Sequence, residues 1–172
     1  MSSTKKMALS AVFIALGIVL PMALHAVPNA GRVFLPMHIP VLLCGIVCGF
    51  PYGLACGAAT PLLSSLWTGM PPAAMLPAML CELAAYGTVS SLLMRFTRSK
   101  RAVVHIYIAL IGAMVSGRVL YGILNALIFN AGGYSVQIWL SAAFVTALPG
   151  IALQILVVPA AVLVLRKAGL TA

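Results

Sequence analysis

A single carboxylate side chain occurs in 172 residues, and it lies within an apolar run: Glu82 in MLCELAAYG. Another apolar stretch, GAMVSGRVLYGILNALIFN at 112–130, encloses one cation, Arg118. Only 6% of the residues are charged and 63% are hydrophobic. A soluble domain uses about a quarter charged residues to clothe its surface. This chain has too few, so the solvent of its surface must be lipid. The sequence reads as one all-α integral membrane domain over residues 1–172.

A spanning helix needs about 20 apolar residues. On that measure helix 1 is expected at 7–27, with Pro21 as a kink, and a loop, PNAGRVFLP, follows at 28–36. Helix 2 is expected at 38–50, ending in the Phe50–Pro51–Tyr52–Gly53 turn, and helix 3 at 53–66. The loop WTGMPP at 67–72 leads to helix 4 at 73–94, then RFTRSKR at 95–101. Helix 5 is expected at 102–129, followed by the turn NAGG and a helix 6 that begins between 137 and 147 and ends at Leu165. The run from Met7 to Ala23 is too long for a usual signal core and no clean Ala-x-Ala site follows it, so a retained first helix is expected.

The net charge of +9 comes from loop clusters: Lys5 and Lys6; Arg95, Arg98, Lys100 and Arg101; Arg166 and Lys167. Cytoplasmic loops carry the Lys/Arg excess. Six spans place all three clusters on one side, so both termini are expected in the cytoplasm and the chain in the cell membrane. Charge in this pattern speaks for topology and against nucleic-acid binding. The cysteines Cys44, Cys48, Cys56 and Cys81 lie in apolar runs without metal spacing and read as small buried hydrophobes. No metal site, nucleotide-binding motif or catalytic constellation is apparent, which argues against an enzyme and leaves any uphill transport to an ion gradient or a partner.

Charges inside a membrane are costly and are usually paired and functional. Counting from the outer helix ends at about 1.5 Å per residue puts Glu82 about 15 Å deep and Arg118 about 16 Å deep. The two are therefore level and expected to meet. Tyr121 and Asn125 share the Arg118 face at i+3 and i+7, and Tyr86 shares the Glu82 face at i+4. Gln154 of helix 6 is a further candidate. Two readings stand: a purely stabilising ion pair, or an outward polar pocket in which Arg118 receives a carboxylate and Glu82 orients the ligand. Arg32, His38, Trp67 and Thr68, in or beside the outward loops, complete the substrate-binding set, and prolines limit the loops' entropy. Interfacial anchoring is the competing role for Trp67, and hydrogen-bonded interfacial placement is expected of His25 and His38.

Small residues four apart let helices approach closely. Gly45-x-x-x-Gly49 and Gly53-x-x-x-Gly57 are expected to pack within the chain, whereas Ala8, Ala11 and Ala15 on the first helix suit a partner subunit.

The basic N-terminus with ALSAVFIAL, LPMHIPVLLCGIVCGFPYG, PLLSSLWTGMPP, MLPAMLCELAAYG, SGRVLYG and LPGIALQ resembles the substrate-binding S components of energy-coupling factor transporters. The likeness runs from about Lys5 to Lys167 and is most specific over Leu35–Gly87. It implies a six-helix bundle that captures a vitamin or similar micronutrient in its outward half, beneath the loops after helices 1 and 3. It implies no cofactor in this chain, a transmembrane coupling subunit held by Ala11 and Ala15, and two partner subunits that use ATP. Pantothenate and nicotinate carry the carboxylate that Arg118 would accept. The alternative is a stand-alone proton-coupled carrier with Glu82 as the coupling group, which lacks a convincing inverted repeat.

Overall fold

The computed structural model describes residues 1–24, 26–97, 101–129 and 133–171, and these form helices and turns only. In chain order the helices are α1 (Ser3–Ala23), α2 (Ala30–Phe34), α3 (His38–Cys48), α4 (Tyr52–Thr68), α5 (Leu76–Phe96), α6 (Ala102–Leu124), α7 (Val136–Leu140) and α8 (Leu148–Lys167). A π-helical turn extends α6 over Asn125–Phe129, and another extends α7 over Ser141–Thr146. Five stretches are long and apolar enough to cross a membrane: Ser3–Ala23, Ala30–Cys48, Leu76–Phe96, Ala102–Phe129 and Leu148–Lys167. The sixth helix of the bundle, α4, has 17 residues, about 25 Å of rise. It packs against α1, α3 and α5.

Local chemistry moves several helix ends from their expected places. Ser2 caps α1, its hydroxyl accepting from the Lys5 N–H at 3.4 Å, so that helix begins before its apolar run. Gly49 ends α3 at φ +76°, a conformation that favours glycine. The first outward loop holds α2, flanked by Asn29 and Leu35 at φ +59° and +51°. The last span starts at Leu148, and the stretch before it is a separate helix rather than the beginning of that span. His25, Arg98, Lys100 and most of the NAGG turn lie outside the described residues.

At the centre, all 11 residues of α3 are buried, which is how a helix apolar on every side is accommodated. α3, α4 and α5 meet at glycines. A Cβ placed on Gly87 would fall on the Gly53 backbone, one on Gly45 would fall on Gly87 and Ser90, and one on Gly57 would fall on Leu83. Ser91 reinforces the contact, donating to the Gly45 carbonyl at 3.0 Å. Gly49 is the exception to the expected packing role, since it has open space around it and serves the turn instead. Cys44, Cys48 and Cys56 are buried in this core, whereas Cys81 is only partly buried.

The helix ends sort by charge. Tyr52, at the start of α4, bonds Ser3 at 2.7 Å, and the start of α8 packs on α2 at the other end. Lys5, Lys6, Arg95, Arg101, Arg166 and Lys167 thus gather at one end, and Arg32 sits at the opposite one.

Candidate substrate site

The end that carries Arg32 is hollow. A cavity of about 810 Å³ opens between the Pro21–His38 stretch, the α4–α5 connection and the adjoining turns of α5 and α6. Arg32, His38, Trp67, Thr68, Glu82 and Tyr121 line it, so six of the residues singled out in the sequence share one space. Trp67 is 73% exposed and stands at the rim. Arg32 reaches across to Met75, with Nη2 3.6 Å from the sulfur, linking α2 to the α4–α5 connection.

Glu82 lies six residues into α5, about 9 Å below the helix start. It is 5% exposed. Its Oε1 lies 3.8 Å from Arg118 Nε and 3.7 Å from His38 Nε2. The pair expected to meet does so, but Glu82 is shallower than the expected depth of about 15 Å because α5 begins at Leu76 rather than at 73. His38 departs from expectation: it is 2% exposed rather than interfacial, and it stacks edge-on against Tyr86 with ring centroids 5.2 Å apart. Its position at the first turn of the buried α3 explains this, because from there the ring turns inward onto Tyr86 and Glu82 of α5.

The cluster is under-bonded. His38 Nδ1 and Nε2, Glu82 Oε1, Tyr86 Oη, and Arg118 Nε and Nη2 are buried and have no hydrogen-bond partner among the described residues. Buried polar groups left in that state cost about 1–3 kcal/mol each, more when charged. Native interiors avoid this, so such a group asks for a missing partner. Arg118 Nε and Nη2 form one edge of the guanidinium, the fork that a carboxylate fits with two parallel bonds.

Four other candidates take different places. Arg118 and Tyr86 lie behind Glu82 and His38 and do not themselves form the cavity wall. Asn125 is buried and its amide donates to the Tyr121 carbonyl at 2.9 Å. Gln154 is fully buried on α8, with both amide atoms unpartnered among the described residues, and is not part of the wall.

Sequence reasoning passed over much of the lining. Met22, Met37, Met75 and Met79 line the cavity beside Met70 of the expected WTGMPP loop, so five of the nine methionines face it. Their only signal was crowding near the outward loops; methionine adapts to irregular apolar shapes. Tyr134, which lines a separate cavity of about 310 Å³ with Trp139 rather than this one, was also missed. Burial, followed by the neighbouring Tyr121 and Glu82, holds its phenol above the ordinary range.

Trp139 was missed as well. It lies over Gly122, and its Nε1–H donates to the Arg118 carbonyl at 3.1 Å. It therefore braces the turn that carries the buried cation. Trp139→Phe is expected to lose about 1 kcal/mol of stability, read as a drop of about 2–4 °C in thermal midpoint in detergent.

A multi-pass helical bundle with a sheltered polar cluster under a cavity at one end is, as a class, a membrane protein built around a binding site. The family model of the substrate-specific component of ECF transporters matches residues 5–162, and the chain belongs to that family. Comparison with curated proteins and with solved structures gave no match. Members of the family share a six-helix membrane fold and are transport subunits rather than enzymes. They bind substrate rather than a cofactor, and ATP is hydrolysed by partner ATPases.

Proposed function

We propose that this S component captures a small micronutrient-like organic acid, of the size and charge of nicotinate or pantothenate, in the Arg32–Glu82 cavity. The observation that carries this reading is the unpartnered carboxylate-binding edge of Arg118, buried just behind the cavity wall. The cavity's methionine and proline walls suit the apolar body of such a ligand, and the acid end goes to the arginine. The basic residues at the other end of the bundle support a cytoplasmic placement of both termini, with the cavity facing outward.

Uptake then needs a transmembrane coupling subunit and two ATPase subunits. Ala11 and Ala15 are the proposed contact on this chain. Both are exposed, on a helix that buries only Ser10, Phe13, Gly17 and Ile18. Replacing Ala11 and Ala15 by leucine is expected to abolish uptake in cells carrying the coupling partners. Binding of radiolabelled nicotinate or pantothenate by the purified chain should persist. Failure of the wild-type chain to bind either acid would refute the substrate class, and loss of binding in the leucine variant would place those alanines in the chain's own packing.

A further inference from the structure

The same Glu82 oxygen faces both Arg118 at 3.8 Å and His38 at 3.7 Å, and hydrogen-bonds neither. Glu82 also lines the cavity, while Arg118 does not. A carboxylate coming from the cavity therefore meets Glu82 before it meets the fork. Arg118 has one edge without a hydrogen bond, Nε with Nη2, whose Nε faces Glu82 at 3.8 Å, and that edge holds one carboxylate in two-point contact.

We infer, resting on the carboxylate reading above, that Glu82 stands in for the substrate's carboxylate at Arg118, and that a monoanionic acid enters the site together with one proton. Charge balance carries this. With the imidazole neutral, the buried pair Glu82 and Arg118 sum to zero; Arg32 lines the same cavity but is exposed, where solvent screens its charge. An anionic ligand adds one negative charge, and two carboxylates then share one guanidinium in a site where all three side chains are under one-tenth exposed. Like charges at such range in a poorly solvated site disfavour both being ionised. A proton drawn from bulk water restores neutrality. It is held by the Glu82–His38 pair, as a carboxylic acid or as an imidazolium facing the displaced carboxylate, and it belongs to the pair rather than to either member.

The ionisable groups around Glu82 are few. His38 comes from α3, Tyr86 from its own helix, Arg118 and Tyr121 from α6, and Tyr134 from the segment before α7. Arg32 of α2 lines the same cavity, and α4 presents to it the Thr68 hydroxyl and Trp67. The tyrosines stay neutral and the arginines charged near neutral pH. Among the described residues, that leaves Glu82 and His38 as the groups able to exchange the proton.

Calorimetric titration of the purified chain with nicotinate and with pantothenate tests this, run at one pH in buffers of different ionisation enthalpy. The expected result is uptake of about one proton per bound acid, with affinity weakening by up to about tenfold per pH unit between about pH 6 and pH 8. Glu82→Gln removes the competing charge, so any acid it binds should be bound without proton uptake and with an affinity flat across that range. Binding by the wild-type chain with no proton uptake overturns this inference and leaves the proposed function standing. Proton uptake that persists in Glu82→Gln overturns it equally. Absence of binding of both acids at every pH overturns the carboxylate reading and this inference with it. The wild-type measurement is decisive even where the variant fails to fold.

Discussion

Arg118→Ala is expected to weaken binding of an anionic ligand by about 2–5 kcal/mol, from some tens of fold to several thousand-fold. The substitution removes both points of the fork and leaves Glu82 buried beside His38 alone. Part of the loss is therefore the penalty on Glu82 rather than the contact with the ligand. Pairing the substitution with Glu82→Ala separates the two contributions, because the double variant has no stranded carboxylate. The double variant should regain stability toward the wild-type thermal midpoint while binding stays weak. Arg118→Lys keeps the charge but presents a point charge where a planar fork is needed, and should fall between wild type and Arg118→Ala. Full affinity in a folded Arg118→Ala protein would take Arg118 out of the site.

Substitution at Gly87 should be the most damaging change to the bundle itself. A Cβ at this position lands on the carbonyl, carbonyl carbon and Cα of Gly53, which are backbone atoms with no rotamer to escape into. α4 and α5 must then part, and the Ser91 bond to the Gly45 carbonyl goes with them. Gly87→Ala should cost about 1–3 kcal/mol, as overpacking does, and Gly87→Val more. Gly31→Ala is the control for stability: it has nothing within 4 Å of the added carbon, and its thermal midpoint should stay close to wild type. Equal midpoints for Gly87→Ala and Gly31→Ala would show that α4 and α5 do not rest on that contact.

The buried pair was legible before the structure because depth along a helix is arithmetic. Residue number, helix end and rise per residue place Glu82 and Arg118 level, with no knowledge of which helices touch. His38 was misplaced by the same arithmetic: it lies beside a loop, and depth alone put it at the interface. What moved it inside was the contact of its ring with Tyr86 and Glu82 of α5. Nothing in the local hydropathy signals that contact. The two glycine pairs show the same division. Spacing four apart identified Gly45, Gly53 and Gly57 as close-packing positions, yet assigned Gly49 the same role. Its real use is a positive φ at the end of α3. The methionine lining and the Trp139 brace escaped notice because each depends on helices distant in sequence.

By itself, then, the sequence determined that the chain lives in lipid, roughly where its long apolar helices run, where its charges lie along them and which family it resembles. These are properties of single segments, since partition into a bilayer depends on a segment's own composition and length. Tertiary structure alone decided that His38 joins Glu82, that Arg118 sits behind the cavity wall, and that methionines form much of that wall. Lipid does not distinguish one apolar helix face from another. The rotation and crossing of each helix, and so the company its polar side chains keep, are set by close contacts such as Gly87 on Gly53.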